Sequence, residues 1–165
     1  MDKLKWINTQ YLKQMNAADI TNFLKPFLKE HALIDDSTDE TWLQKIAGLY
    51  KGRFSTLEEF LERTDFIFKE NIVMDATLAL QHLTHDKKEV FLQLAQAYET
   101  LESFDSKSLE NVFPTLVEKS GLTSSDMVHP VRVSLTGKDV GPGLFETIEI
   151  LGRFKTVNRL RQAFK

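Results

Sequence analysis

The stretch that decides the fold is PVRVSLTGKDVGPGLFETIEILG, residues 130–152. It holds four of the chain's seven glycines and two of its four prolines, residue types that mark the ends of helices. An apolar helical pattern ends at Gly137, a typical C-terminal signal. Pro142 stands where a new helix is expected to begin, because proline has no N–H to lose at that position. The pattern predicts a helix over residues 142–151 that ends at Gly152.

The start of that helix is a candidate binding feature. Gly141 and Gly143 leave the backbone with little side-chain cover, so the N–H groups of Gly143 and Leu144 would be open to a ligand that carries acceptors. The alternative is a tight turn between two helices that binds nothing. The surrounding residues fit neither a phosphate-binding P-loop nor a dinucleotide-binding fingerprint.

Outward from this stretch, the apolar periodicity is helical along the whole chain, and no alternating strand pattern of useful length occurs. We therefore predict an all-α protein. The pattern breaks around residues 71–75, which predicts two small helical subdomains, residues 1–74 and 75–165. Helix caps are expected at Asn16, at Asp75, at Asp105 together with Ser106, and at Ser124 or Ser125. Capping boxes are expected at Ser37 with Glu40 and at Ser55 with Glu58. Kinks or interruptions are expected at the helical prolines Pro26, Pro114 and Pro130.

Composition excludes several classes of protein. Hydrophobic residues make up 42% of the chain, which is enough for a core, and there is no cysteine to form a disulfide or a thiolate metal site. No apolar run approaches the length that spans a membrane, so we expect no membrane partner and a cytoplasmic location. The net charge of −3 argues against a domain that binds nucleic acid mainly through a large positive surface charge. It leaves room for a protein that recognises a few exposed bases with a few arginines.

No catalytic residues and no metal site are predicted. His82 and His85 are spaced to share a helix face, but a metal would need a third ligand, and surface histidines are the favoured interpretation. The aspartates of residues 35–39 lack the glycine and glutamate of a calcium-binding loop. No serine stands beside a recognisable general base.

Three segments resemble one known family. Pro130-x-Arg132-Val133-x-Leu135-Thr136-Gly137, followed by Gly141-Pro142-Gly143-Leu144-Phe145-Glu146 and Leu151-Gly152, is similar to the C-terminal end of bacterial glutamyl-tRNA synthetase. Lys3-Leu4-x-Trp6-x-Asn8-x-x-Tyr11 and Gly52-Arg53-Phe54-x-Thr56-Leu57 match the same family, in the same order. Together the three matches extend over nearly all 165 residues.

The resemblance implies a fold and a set of contact residues. The fold would be an α-helix cage of two helical subdomains that binds the anticodon. Arg132 would contact the first anticodon base, and Arg53 would contact the third. Gly141, Gly143 and Leu144 would meet the anticodon through the backbone and the leucine side chain. Some relatives carry Thr or Ser at the position of Gly141, so here only the backbone could serve.

The resemblance also implies partners and cofactors. The partners would be tRNA(Glu) and a catalytic domain upstream in the same chain, and the protein would be a monomer. The parent ligase would use ATP and Mg²⁺, whereas this region would need no cofactor, because the family's H-I-G-H and K-M-S-K-S motifs do not occur here. Whether the parent also charges tRNA(Gln) stays open. The alternative function is an all-helical protein-interaction module with no role in nucleic-acid binding.

Overall fold

The computed structural model of the protein describes the backbone of residues 2–164 and the side chains of residues 3–164. Within that part of the chain the secondary structure consists of ten α-helices and one 3₁₀ turn, without a strand, so the all-α prediction is confirmed. None of the described helices is long and apolar enough to cross a membrane. The chain divides into two compact units, Met1–Phe68 and Lys69–Lys165, called here the first and the second unit.

The first unit contains four helices, α1 (Asp2–Gln14), α2 (Ala17–Glu30), α3 (Glu40–Tyr50) and α4 (Leu57–Phe68). Helices α2 and α3 pack against each other through apolar side chains spaced one turn apart. Phe60 of α4 closes this core, and its ring meets the edges of Tyr50 and Phe54 in T-shaped contacts with centroids 6.3 and 5.0 Å apart. Phe54 is 2% exposed, so the short joint between α3 and α4 is anchored in the core.

The second unit contains α5 (Ala76–His82), a 3₁₀ turn (His85–Lys87), α6 (Lys88–Thr100), α7 (Ser106–Lys119), α8 (Ser124–Thr136), α9 (Leu144–Leu151) and α10 (Arg153–Gln162). Helix α10 packs along α6, and α7 packs against both α8 and α9. Every residue of α8 from Pro130 to its end is buried, which makes this helix the centre of the unit. The residues quoted at the start of the sequence analysis therefore form the middle of the second unit and the loop that leaves it.

The boundary between the two compact units follows Phe68. The sequence pattern predicts it later in the chain, after residue 74. Residues that follow Phe68 are held by the second unit, because Arg159 of α10 donates from Nη2 to the backbone carbonyl of Lys69 over 2.7 Å. The carbonyl of Val73 also lies against the backbone of Gly137. A break in periodicity marks the end of a helix, and the division between units depends on these later contacts.

Three predicted helix caps are confirmed and three are wrong. Asn16, Asp75 and Asp105 accept backbone N–H groups at the starts of α2, α5 and α7. The cap of α3 is Asp39, while Ser37 instead donates to the carboxylate of Asp35. The other two errors are shifts of one or two residues: Thr56 with Glu59 opens α4, and Thr123 with Asp126 forms the capping box of α8.

None of the helical prolines interrupts its helix, since α2, α7 and α8 each continue past their proline, and the expected kinks stay predictions. A proline inside a helix removes the donor for the carbonyl four residues earlier. Those carbonyls belong to the exposed residues Asn22, Glu110 and Asp126, where water can take the place of the missing N–H.

Candidate nucleic-acid interface

The glycine loop, residues 137–143, joins the buried helix α8 to α9. Gly137 adopts the left-handed conformation with φ of 72°, and its N–H donates to the carbonyl of Val133 over 2.8 Å. A Cβ at this position would lie 2.8 Å from the carbonyl oxygen of Val73, so both the conformation and the space require glycine. The hydroxyl of Thr136 accepts the N–H of Lys138 over 3.1 Å and fixes the start of the loop. The predicted end of this helix at Gly137 is confirmed.

The structure brings Arg132 and Gly141 together. Arg132 is only 8% exposed, and its Nη1 lies 2.8 Å from the position that a Cβ on Gly141 would take. Gly141 itself is exposed. The absence of a side chain at Gly141 thus lets a guanidinium lie directly against an exposed backbone. A Thr or Ser at this position would have to displace the guanidinium.

Helix α9 begins two residues later than predicted. Gly143 is its N-cap and Leu144 its first residue, and the first helical hydrogen bond runs from the N–H of Thr147 to the carbonyl of Gly143. The N–H groups of the first three helix residues have no partner inside the helix. Leu144 is 5% exposed as a whole residue and belongs to the core, so little of its side chain or of its backbone is at the surface.

Glu146 is a site residue that the sequence reasoning did not single out. Its carboxylate folds back over the start of α9 and fills the space that a Cβ on Gly143 would need. A carboxylate at a helix N-terminus is favoured by the helix dipole, and it repels a phosphate from the same place. This end of the loop therefore suits a partner that offers donors as well as acceptors, such as the edge of a nucleobase. The acidic residue in the first turn of a helix is the sequence signal that could have indicated it.

Arg53 lies in the first unit, in the joint between α3 and α4. Gly52 has φ of 72°, and the N–H of Arg53 donates to the carbonyl of Tyr50 over 2.9 Å. Arg53 is exposed, whereas Phe54 is buried beside it. Among the described side chains none forms a hydrogen bond or ion pair with its guanidinium. The joint is thus fixed on both sides while the charged group extends into solvent.

Two further contacts shape the surface around Arg53. The aliphatic part of Lys13 lies over Gly52, where an added Cβ would be 2.7 Å from Lys13 Cγ. Glu59 accepts hydrogen bonds from the N–H and hydroxyl of Ser55 over 2.9 and 2.7 Å, and from Lys5 Nζ over 2.7 Å. These bonds, the one to Lys5 foremost, lower the pKa of Glu59 from 4.5 to about 2.

His82 and His85, which the sequence spacing could place on one helix face, do not contact each other in the structure. The ring of His82 stacks on His129 of α8, with centroids 5.9 Å apart and 20° between the planes, and His85 stands apart in the 3₁₀ turn. Among the described side chains, no group of three or more histidines and carboxylates is placed to hold a metal ion. Helix periodicity alone could not have indicated the contact between His82 and His129, because it joins distant parts of the sequence.

Comparison with known proteins gives consistent matches. The family described as "Anticodon binding domain" matches residues 17–164. Glutamate–tRNA ligase 1 of Caldanaerobacter subterraneus subsp. tengcongensis is 31% identical over 166 residues, covering 100% of this chain and 34% of the relative. The glutamate–tRNA ligase of Desulfosudis oleivorans is 34% identical over 162 residues, covering 98% of this chain and 34% of its own length.

A solved structure gives the same result for the fold. The crystal structure of a glutamate tRNA ligase from Elizabethkingia meningosepticum, in complex with its amino acid, superposes with a TM-score of 0.86 at 25% identity. The match covers 96% of this chain and 31% of that protein. The chain therefore spans about a third of the length of the relatives that it matches.

Proposed function

Because this chain belongs to the anticodon-binding domain family, we propose that it recognises the anticodon of tRNA(Glu) within a glutamate–tRNA ligase. The observation that carries the proposal is the contact between Arg132 and Gly141. A guanidinium with five N–H donors lies against an exposed glycine backbone, beside a helix start whose N–H groups are not used by the helix. Unstacked bases of an RNA loop offer the acceptors and donors that such a surface can bind.

In the second unit, the proposed contact is with the first anticodon base. Arg132 supplies donors from its guanidinium, and Gly141 allows the base to approach the backbone. The backbone of Gly143 becomes accessible when the Glu146 side chain, which lies over it, moves aside. We assign a smaller part in the contact to Leu144, the first residue of α9, because the whole residue is only 5% exposed. Glu146 adds an acceptor for an exocyclic amino group. Such a site recognises base edges, so it does not depend on a large positive charge.

In the first unit, the proposed contact is between Arg53 and the third anticodon base. The guanidinium is exposed, and the joint that carries it is fixed by the buried Phe54 and by the bonds of Ser55 to Glu59. A side chain on a fixed backbone can be aimed at one base, which is what discrimination between bases requires. We assign both units to anticodon binding, one arginine to each.

The remaining assignments concern the whole ligase. The relatives that match are about three times longer than this chain, and we place the attachment of glutamate to tRNA, with its ATP and Mg²⁺, in the part of the enzyme outside these residues. The H-I-G-H and K-M-S-K-S motifs are absent from this sequence. The catalytic domain of the same chain is thus the second partner. We also assign the ligase to the cytoplasm as a monomer.

Substitution of Arg132 tests the proposed site. Arg132→Lys keeps the positive charge but loses the planar fork of donors, so we expect weaker binding of tRNA(Glu) by about 1–3 kcal/mol, the size of one good base contact. Binding is measured by fluorescence anisotropy with labelled tRNA(Glu). Thermal unfolding of the variant, followed by circular dichroism, shows whether the fold is kept.

A matched control is Arg161→Lys, because Arg161 is exposed on α10 and pairs with Glu99 over 2.6 Å, so it has no role in the proposed site. This control is expected to bind as the wild type does. Equal tRNA affinity in the wild type and in a folded Arg132→Lys protein would contradict the assignment of Arg132.

A further inference from the structure

Two imidazole rings, those of His82 and His129, stack on each other next to the glycine loop and have no part in the site described above. His129 precedes Arg132 by three residues in α8, so the two residues are neighbours on the helix surface. The ring of His82, from the end of α5, lies nearly parallel to that of His129, with centroids 5.9 Å apart.

The ring of His129 contacts the backbone of the glycine loop. Nδ1 of His129 lies 3.3 Å from the carbonyl oxygen of Asp139, two residues before Gly141. Val140, the residue between them, is 71% exposed. His129 is also exposed, and His82 is half-buried behind it. An aromatic ring and an apolar side chain are therefore presented to solvent at the edge of the proposed anticodon site.

Packing between helices does not account for this arrangement. Helix α5 lies against α8, yet it has no fully buried residue. The two rings are placed at an exposed contact, where an aromatic pair removes little area from water and contributes little to folding. The face of His129 is held parallel to a second ring and beside a fixed loop, which suits it to receive another flat group.

We propose that His129, supported by His82, is a stacking platform for an unpaired nucleobase next to the base that Arg132 contacts. The proposal rests on the proposed function and extends it, because it names an additional contact in the same anticodon loop. Proteins stack splayed-out bases of single-stranded RNA on aromatic side chains, including histidine. Every base has a π-face, so this contact adds affinity and orientation without selecting the base.

The test uses the 165-residue chain and an RNA stem-loop with the anticodon arm sequence of tRNA(Glu). His129→Ala removes the ring, and we expect binding to weaken about tenfold, within the range of one stacked base. His129→Phe keeps a flat ring without its nitrogens and is expected to bind within about twofold of the wild type. His85→Ala is the control, because His85 is an exposed histidine of the neighbouring turn that does not join the stack.

A second measurement reports stacking directly. The fluorescent base 2-aminopurine is placed in turn at each anticodon position and at the nucleotide on either side, since stacking quenches its emission. We expect one position to be quenched by the wild type and by His129→Phe, and to stay bright with His129→Ala.

The outcomes separate this proposal from the one on which it rests. If the wild type binds the stem-loop and a folded His129→Ala binds equally well, the stacking platform is wrong and anticodon binding stands. If His129→Phe is as weak as His129→Ala, the ring contributes through its nitrogens and stacking is again wrong. If the wild type does not bind the stem-loop, both proposals are wrong.

Discussion

Arg53 and Arg132 present their guanidinium groups in different ways. Arg53 is exposed on a short joint that the buried Phe54 anchors, so its side chain can reach a base from outside. Arg132 is 8% exposed and lies against Gly141, so only a small part of the residue is at the surface. Loss of Arg132 therefore affects both the loop and any base contact, whereas Arg53 can be replaced with little effect on the fold. Arg53 gives the cleaner test of specificity at the scale of one residue.

Replacing Arg53 with glutamine is expected to narrow the preference for C over G at the third anticodon position. The anticodons of glutamate and glutamine tRNAs share the middle base and differ at the third, C against G. Arginine has donors only, which suits the O2 and N3 acceptors of cytosine and opposes the two donors on the Watson–Crick edge of guanine. Glutamine can donate and accept, so Arg53→Gln should reduce the preference by about 1–3 kcal/mol.

The measurement is the ratio of affinities for tRNA(Glu) and for the same tRNA with G at the third anticodon position. Lys51→Gln is the matched control, since it removes one positive charge from an exposed residue of the same joint. A ratio that is the same in wild type, Arg53→Gln and Lys51→Gln would show that Arg53 does not read this base.

At the scale of elements, helices were easier to predict than their first residues. Asn16 and Asp75 are caps as expected, because each stands alone at the start of an apolar stripe. The start of α8 was assigned to Ser124 or Ser125 although Thr123 is the cap, since adjacent residues of similar propensity cannot be ranked from the sequence. Pro142 misled for a related reason: it fits a helix start, but the helix begins after Gly143.

The candidate interface, too, could be predicted from the sequence only in part. The glycines and arginines of the candidate interface could be named from the sequence because they form local motifs. The position of the Arg132 guanidinium against Gly141, and the stacking of His82 on His129, depend on how the chain folds around α8. Neither contact leaves a periodic or compositional signal, so only the three-dimensional structure reveals them.

The hydrogen-bonded carboxylate of Glu59 at the start of α4 predicts that the stability of the first unit depends on pH. The bonds from Lys5 and Ser55 hold the pKa of Glu59 at about 2, below its ordinary value of 4.5. A lowered folded-state pKa stabilises the protein above pH 4.5, and this contribution is lost as the pH falls toward 2. Glu59→Gln should therefore lower the free energy of unfolding of the first unit near pH 7 by about 2 kcal/mol.

Urea unfolding followed by tryptophan fluorescence measures this effect, because both tryptophans, Trp6 and Trp42, belong to the first unit. The difference between wild type and Glu59→Gln should shrink between pH 4.5 and the lowest pH at which the unit stays folded. Glu58→Gln, at an exposed neighbour in the same helix turn, is the control. A difference that does not change with pH would contradict the assigned role of the Glu59 carboxylate.

At the scale of the whole molecule, a net charge of −3 is compatible with RNA binding only if few phosphates are contacted. The affinity of a protein for nucleic acid falls with salt in proportion to the number of phosphates that it neutralises. Two local arginine sites, one in each compact unit, should therefore give a shallow dependence on salt. This is the pattern of a protein that recognises exposed bases, and it distinguishes the chain from basic domains that bind nucleic acid by charge.

The central claim is that the chain recognises the anticodon, and the most direct measurement is its affinity for two RNA stem-loops. One carries the anticodon of tRNA(Glu), and the other is identical except that all three anticodon bases are replaced. Fluorescence anisotropy at fixed low salt gives both dissociation constants. We predict that the glutamate anticodon is bound at least about tenfold more tightly, the effect of one good base contact or more. Equal affinities for the two stem-loops would contradict the account.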